Sequence, residues 1–103
     1  MSLELIETPV FTRQVTTELT DESYRALQLL LVLRPAAGSL IPGSGGLRKL
    51  RWMLPGRGKR GGARLIYFWK PEDWVYLLFI YPKNANADLK SQQLAALRRL
   101  VNE

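Results

Sequence analysis

Histidine and cysteine are both absent from this chain of 103 residues. Without cysteine there can be no disulfide framework, thiol nucleophile or thiolate metal site. Without histidine the usual acid–base group of neutral pH and the commonest metal ligand are missing too. Any chemistry falls to Lys, Arg, Tyr, Ser, Thr or a carboxylate, and no metal or other cofactor is expected. The carboxylates have a gap of their own: no Asp or Glu stands between Glu22 and Glu72. Inside that gap lie Arg48, Lys49, Arg51, Arg57, Lys59, Arg60, Arg64 and Lys70. Cations without an internal counter-charge repel one another, so the fold must spread them, hydrate them or offer them an external anion. A surface built only for solubility mixes both signs; one built to hold phosphates does not. Apolar runs such as Leu29 to Leu33 are far too short to span a bilayer. The acidic start (Glu4, Glu7) lacks the basic region of a signal peptide, so a cytoplasmic protein with no membrane partner is expected.

What is present describes one ordinary domain. Apolar residues make up 47 % and charged residues 23 % of the chain, enough for a single core without staples. The net charge is +6 and the isoelectric point about 10.1, which points towards a polyanion. Leu3, Leu5 and Ile6 fit a short first strand. Thr8-Pro9 reads as an N-cap followed by proline at the first helical position, with Phe11 and Val15 on the buried side. Thr20, followed by Asp21 and Glu22, opens a second helix, which Pro35 and Gly38 end. These two helices are expected as an antiparallel pair within residues 9–35. Gly38 to Gly46 is a turn-rich connection.

The period then changes from helical to alternating. In Leu47 to Leu54 one face carries Arg48, Leu50, Trp52 and Leu54, and the other Leu47, Lys49, Arg51 and Met53. Pro55 to Gly62 is a glycine-rich connector bearing Arg57, Lys59 and Arg60. A second strand runs from about Ala63 to Trp69, with Arg64 on the same face as Ile66 and Phe68. A third, Trp74 to Tyr81, is apolar throughout, as a strand buried on both faces would be. A last helix capped by Asp88 or Ser91 carries Leu94, Leu97 and Val101 on one side. The order β-α-α-β-β-β-α defines a single α+β domain over residues 1–103, with helices packed on an antiparallel sheet.

Lys49 and Arg51 project together from the middle of a strand. The plain alternative is a solvated sheet face; the functional one is an anion site on a rigid platform. Arg64 in an apolar strand must snorkel, pair or face a concave site. The PGRGKRGG connector is either a charged hairpin tip or an arm that grips phosphates. It is not a nucleotide P-loop, because Lys59 is followed by Arg60. Among the aromatics, most of which suit a core, Tyr67 and Tyr81 have hydroxyls that could reach a site. Lys83 is a loop lysine or a cation at the cleft rim, and Arg98-Arg99 reads as a solvated helix face.

The blocks Gly45-Gly46-Leu47-Arg48-Lys49-Leu50-Arg51-Trp52, Gly56-Arg57-Gly58-Lys59-Arg60-Gly61-Gly62-Ala63-Arg64-Leu65-Ile66-Tyr67 and Tyr81-Pro82-Lys83-Asn84 resemble the RelE/HigB branch of the RelE/ParE superfamily of bacterial type II toxins. The resemblance extends over nearly the whole chain. It implies the RelE-like fold and a ribosome-dependent endonuclease that cuts mRNA in the A site, inhibits translation and is held inactive by an antitoxin, expected to be a helix-turn-helix protein. It implies metal-free cleavage by the RNA's own 2′-OH. By position in the motif, Lys49, Arg51, Arg64 and Lys83 match the family's catalytic cations. Arg48, Arg57, Lys59, Arg60, Tyr67 and Tyr81 are the accompanying RNA-binding candidates. The family's proton-transfer tyrosine or C-terminal histidine has no counterpart, since Leu89-Lys90 stand where the tyrosine would be. A ParE-like gyrase inhibitor and a non-catalytic RNA- or ribosome-binding domain are the alternatives.

Overall fold

Both N-terminal helices begin at a threonine, as the sequence predicts. In the computed structural model, which describes residues 3–53, 62–83 and 89–101, the Phe11 amide donates to Thr8 Oγ1 at 3.1 Å ahead of α1 (Pro9–Glu18). The Ser23 amide does the same to Thr20 Oγ1 at 3.0 Å ahead of α2 (Asp21–Leu33). Each cap satisfies an amide that the first turn of a helix leaves without a partner. Asp21 and Glu22 occupy the first turn of α2, where the helix dipole favours negative charge. Arg34 ends it with φ −140° and ψ 74°, because a residue before proline is pushed out of the helical region.

The strands are β1 (Glu4–Glu7), β2 (Ser39–Leu40), β3 (Leu47–Trp52), β4 (Ala63–Lys70) and β5 (Trp74–Pro82), and the last helix is α3 (Ser91–Val101). They form one five-stranded sheet in the order β1-β5-β4-β3-β2. β3, β4 and β5 are the expected antiparallel meander. β1 inserts beside β5 in parallel, Glu4 opposite Trp74 and Glu7 opposite Leu77. The connection after α2 holds one element more than the sequence indicates: Ser39 and Leu40 pair with Lys49 and Arg48 before the chain returns. β3 closes at Trp52, and Leu54 lies outside the described residues, as does Asp88.

Each face of the sheet has its own apolar layer. Phe11, Val15, Leu27 and Leu31 of α1 and α2 pack with Leu50, Leu65, Tyr67, Val75, Leu77 and Ile80. On the other side Leu94, Leu97 and Val101 of α3 pack with Leu47, Ile66, Leu78 and Tyr81. β5 is therefore covered on both faces, as its sequence predicts. A bulge makes Leu78 the extra residue between the pairs Tyr67–Leu77 and Ile66–Phe79. There β1 has ended, and α1 serves the strand edge instead. Thr8 Oγ1 donates to the Leu78 carbonyl at 3.1 Å, and the Ile80 amide donates to Gln14 Oε1 at 2.9 Å.

The junction between α2 and β2 is held by two side chains from the sheet. The Tyr67 hydroxyl donates to the Pro35 carbonyl at 2.7 Å and accepts from the Gly38 amide at 2.8 Å. Arg48 donates to the Gly38 carbonyl at 2.7 Å and to the Ala36 carbonyl at 3.3 Å. A β-carbon on Gly38 would lie 2.8 Å from Tyr67 Cε1 and 3.0 Å from the Lys49 carbonyl, so only glycine fits. Tyr67→Phe strands both a buried amide and a carbonyl and should cost about 1–3 kcal/mol, read as a lower denaturant midpoint with an unchanged slope.

At the other end of α2 the Tyr24 hydroxyl donates to Glu7 Oε2, while Thr12 Oγ1 donates to Glu7 Oε1 at 2.6 Å. Burial first, then the hydrogen bond and charge of Glu7, push the Tyr24 phenol well above its ordinary value. Burial also raises Tyr67. A phenol pKa raised on folding means that the folded state keeps a proton the unfolded chain releases. That stabilisation is complete below roughly pH 10 and is lost as the pH rises further. Urea titrations above about pH 10 should show falling stability, with a shallower fall in Tyr24→Phe.

Candidate active site

The meander register sets the site. On β3, Leu47, Lys49 and Arg51 share the face that α3 partly covers. Arg51 stands directly opposite Arg64 of β4, and Arg64 opposite Tyr81 of β5. The next row on that face is Lys49, Ile66 and Phe79. Between this face and α3 opens a cleft of about 380 Å³. Lys49, Ile66 and Tyr81 come from the sheet, Ser39 to Pro42 from β2 and the residues after it, and Leu89 and Leu94 from the approach to α3 and its first turn.

The electrostatics are one-sided. Two arginines directly opposite each other on a sheet repel, and neither Arg51 nor Arg64 makes a salt bridge among the described residues. Their nearest analogue of a paired charge, Lys70 with Asp73 at 3.6 Å, lies in the β4–β5 turn at the far end of the strands. Arg64 is half-buried and Arg51 exposed. A single oxyanion with two faces, such as a phosphate, can accept from both guanidinium forks at once. Because the forks stand on paired strands, their spacing is held by the backbone ladder.

Lys49, Arg51, Arg64 and Tyr81 thus stand in two adjacent rows on one face of the sheet. Lys83 is exposed just past β5, at the Arg64 end, where its amide donates to the Gly62 carbonyl at 2.9 Å. Arg57, Lys59 and Arg60 lie outside the described residues. Two expectations are corrected. Tyr67 is completely buried on the opposite face, its hydroxyl committed to Pro35 and Gly38. Arg48 also lies on that opposite face, donating to loop carbonyls with its guanidinium 5.8 Å from the Trp69 ring. Both side chains, RNA-binding candidates by sequence, hold the chain that borders the cleft. The pair Arg98-Arg99 divides as well. Arg99 is exposed, whereas Arg98 is half-buried, with Nε donating to the Gly45 carbonyl at 2.9 Å and the guanidinium 4.6 Å from the Phe68 ring.

Sequence reasoning missed the Ser39–Pro42 border. Its signal was slight: two residues able to extend, followed by three glycines, Gly43, Gly45 and Gly46, all at positive φ, which reverse the chain into β3. Among the described residues no cluster of three or more carboxylates gathers, and no helix is long and apolar enough to cross a membrane.

The family model described as the RelE toxin of the RelE / RelB toxin–antitoxin system matches residues 11–103. The chain belongs to the RelE toxin family. It is the toxin of a toxin–antitoxin pair, and the family implies an antitoxin as its partner.

The opposed arginines make a stability prediction independent of activity. Arg51→Gln should raise stability at low ionic strength by about 0.2–1 kcal/mol. The gain should fade towards about 1 M salt, where the screening length is near 3 Å. Thermal melts at the two ionic strengths measure it.

Proposed function

We propose that the cleft is the active site of a ribosome-dependent endoribonuclease that cuts mRNA in the A site without a metal. The observation that carries the reading is the row Arg51–Arg64–Tyr81 on one face of the sheet, with Tyr81 and the neighbouring Lys49 lining a concave space beside it. In this reaction the RNA 2′-OH attacks the adjacent phosphorus and gives its proton to a base. The bond from phosphorus to the 5′ oxygen breaks, and that oxygen takes up a proton. The products are a 2′,3′-cyclic phosphate and a 5′-OH end.

The pentavalent phosphate carries more negative charge than the substrate, so cations aimed at it lower the barrier more than they tighten binding. Arg51 and Arg64 serve the non-bridging oxygens, and Lys49 and Lys83 add positive potential at the cleft and its rim. Tyr81 and Lys49 are the groups of the cleft able to move a proton; Tyr67 is withdrawn from that role by its two hydrogen bonds. Arg57, Lys59 and Arg60 remain the proposed grip on RNA backbone. The antitoxin is proposed to be a helix-turn-helix protein that silences the site by laying acids over the basic face or by wedging α3.

Purified protein added to translating ribosomes should cut mRNA within codons, and Arg64→Ala and Lys49→Ala should each lower the rate about 10²–10³-fold with the fold intact by circular dichroism. Growth arrest with whole mRNA and relaxed DNA would instead mark a gyrase inhibitor of the ParE kind. Arrest with neither lesion would mark simple occupation of the ribosome.

A further inference from the structure

The borders of the cleft come from places far apart in the chain. One is Ser39–Pro42, at the start of the β2–β3 turn; the other is Leu89 and Leu94, at the start of α3. No strand ladder joins them. We propose that Arg98 is a positioning residue that latches α3 to the β2–β3 turn and so sets the cleft's width. This rests on the cleft being the site of RNA cleavage.

Three observations place the latch. Arg98 Nε donates to the Gly45 carbonyl at 2.9 Å. Its guanidinium lies 4.6 Å from the Phe68 ring, a distance at which the ring face attracts a cation. A β-carbon on Gly45 would stand 3.1 Å from Arg98 Nε, so the arginine packs closely on a backbone that carries no side chain at that point. The turn it grips is cross-tied by hydrogen bonds to the cleft border. Ser44 Oγ donates to the Ile41 carbonyl at 2.6 Å, and the Leu47 amide donates back to Ser44 Oγ at 3.1 Å. A pull on Gly45 is therefore transmitted to Ile41 in the cleft border. On the helical side, Arg98 follows Leu94 by four positions, one turn further along the same face. Holding Arg98 holds Leu94.

The consequence for catalysis is orientation. Lys49, Arg51 and Arg64 stand on strands and keep their places without the latch, so attraction for the RNA backbone persists. What changes is how closely the nucleotide is confined between the borders, and small misplacements at a reacting centre slow chemistry.

Arg98→Ala, Arg98→Lys and Arg99→Ala, compared with wild type by amide exchange and by mRNA cleavage on ribosomes, test the latch. In Arg98→Ala the amides of Ser44 and Leu47 should exchange faster by about tenfold or more, with that of Ile80 in β5 unchanged. Its kcat should fall about tenfold or more while KM stays within roughly threefold. Arg98→Lys, which keeps a donor and a cation, should lie between. Arg99→Ala, which removes the same charge from an exposed neighbour, should match wild type in both measurements. Unchanged exchange in the turn, or equal effects of Arg98→Ala and Arg99→Ala, would overturn the proposal. Should Arg98→Ala fail to fold, Arg98→Lys and Phe68→Leu carry the same comparison. If wild-type protein leaves mRNA whole, the cleavage reading falls, and the exchange result still decides for or against the latch.

Discussion

The segment around Gly38 is where the architecture is tied together. Tyr67 takes its amide, Arg48 takes its carbonyl, and no side chain fits between them. These bonds fix the exit of α2, and that exit fixes where Ser39 meets Lys49 on the sheet edge. The border of the cleft is thus positioned from behind, by residues on the opposite face. A buried phenol with both of its hydrogen-bonding capacities filled is a rigid connector, since releasing either partner leaves a polar group in an apolar layer.

The sheet divides its work by face. Towards α1 and α2 it is a mainly apolar layer, and Thr8, Ser23, Arg48 and Tyr67 there bond to backbone or to a side chain of a neighbouring element, as when Trp52 Nε1 donates to Ser23 Oγ at 2.9 Å. Towards α3 the apolar layer stops short, giving way to Lys49, Arg51 and Arg64. One helix, α3, packs on this side where two pack on the other, and the cleft opens between it and the sheet. Alternation along β4 puts Arg64 on the α3 side with Ile66 and keeps Leu65 and Tyr67 on the other.

Much of this was legible in the residues. The threonine caps, the proline exit and the change of period from helix to strand all lie within a few positions of one another, and local signals of that kind need no tertiary context. Strand alternation had already put Arg48 with Leu50 and Trp52, and Tyr67 on the face away from Arg64. Reading those two as RNA contacts weighed their chemistry above their period. The carbonyls that claim them, at Pro35, Ala36 and Gly38, belong to a turn whose path only the folded chain defines. The parallel partner of β1 was hidden for a similar reason, being a pairing across some seventy positions. Arg98 is a subtler case. Its spacing from Leu94 marks it as facing inward, yet a charged pair near a helix end reads first as solvated surface. The members of the glycine-rich connector, Arg57, Lys59 and Arg60, lie outside the described residues, so the arm they suggest stays a reading of sequence.

Arg51 facing Arg64 has a consequence for the life of the molecule. A protein that keeps two like charges in register holds part of its folding free energy in escrow, released only when an anion arrives. Thermodynamic linkage makes every such anion a stabiliser of the native state, in proportion to how far its concentration exceeds its dissociation constant. A nucleic acid backbone and an acidic protein segment are equivalent in this respect. A ligand that bound the folded chain through these two arginines would therefore raise its resistance to unfolding.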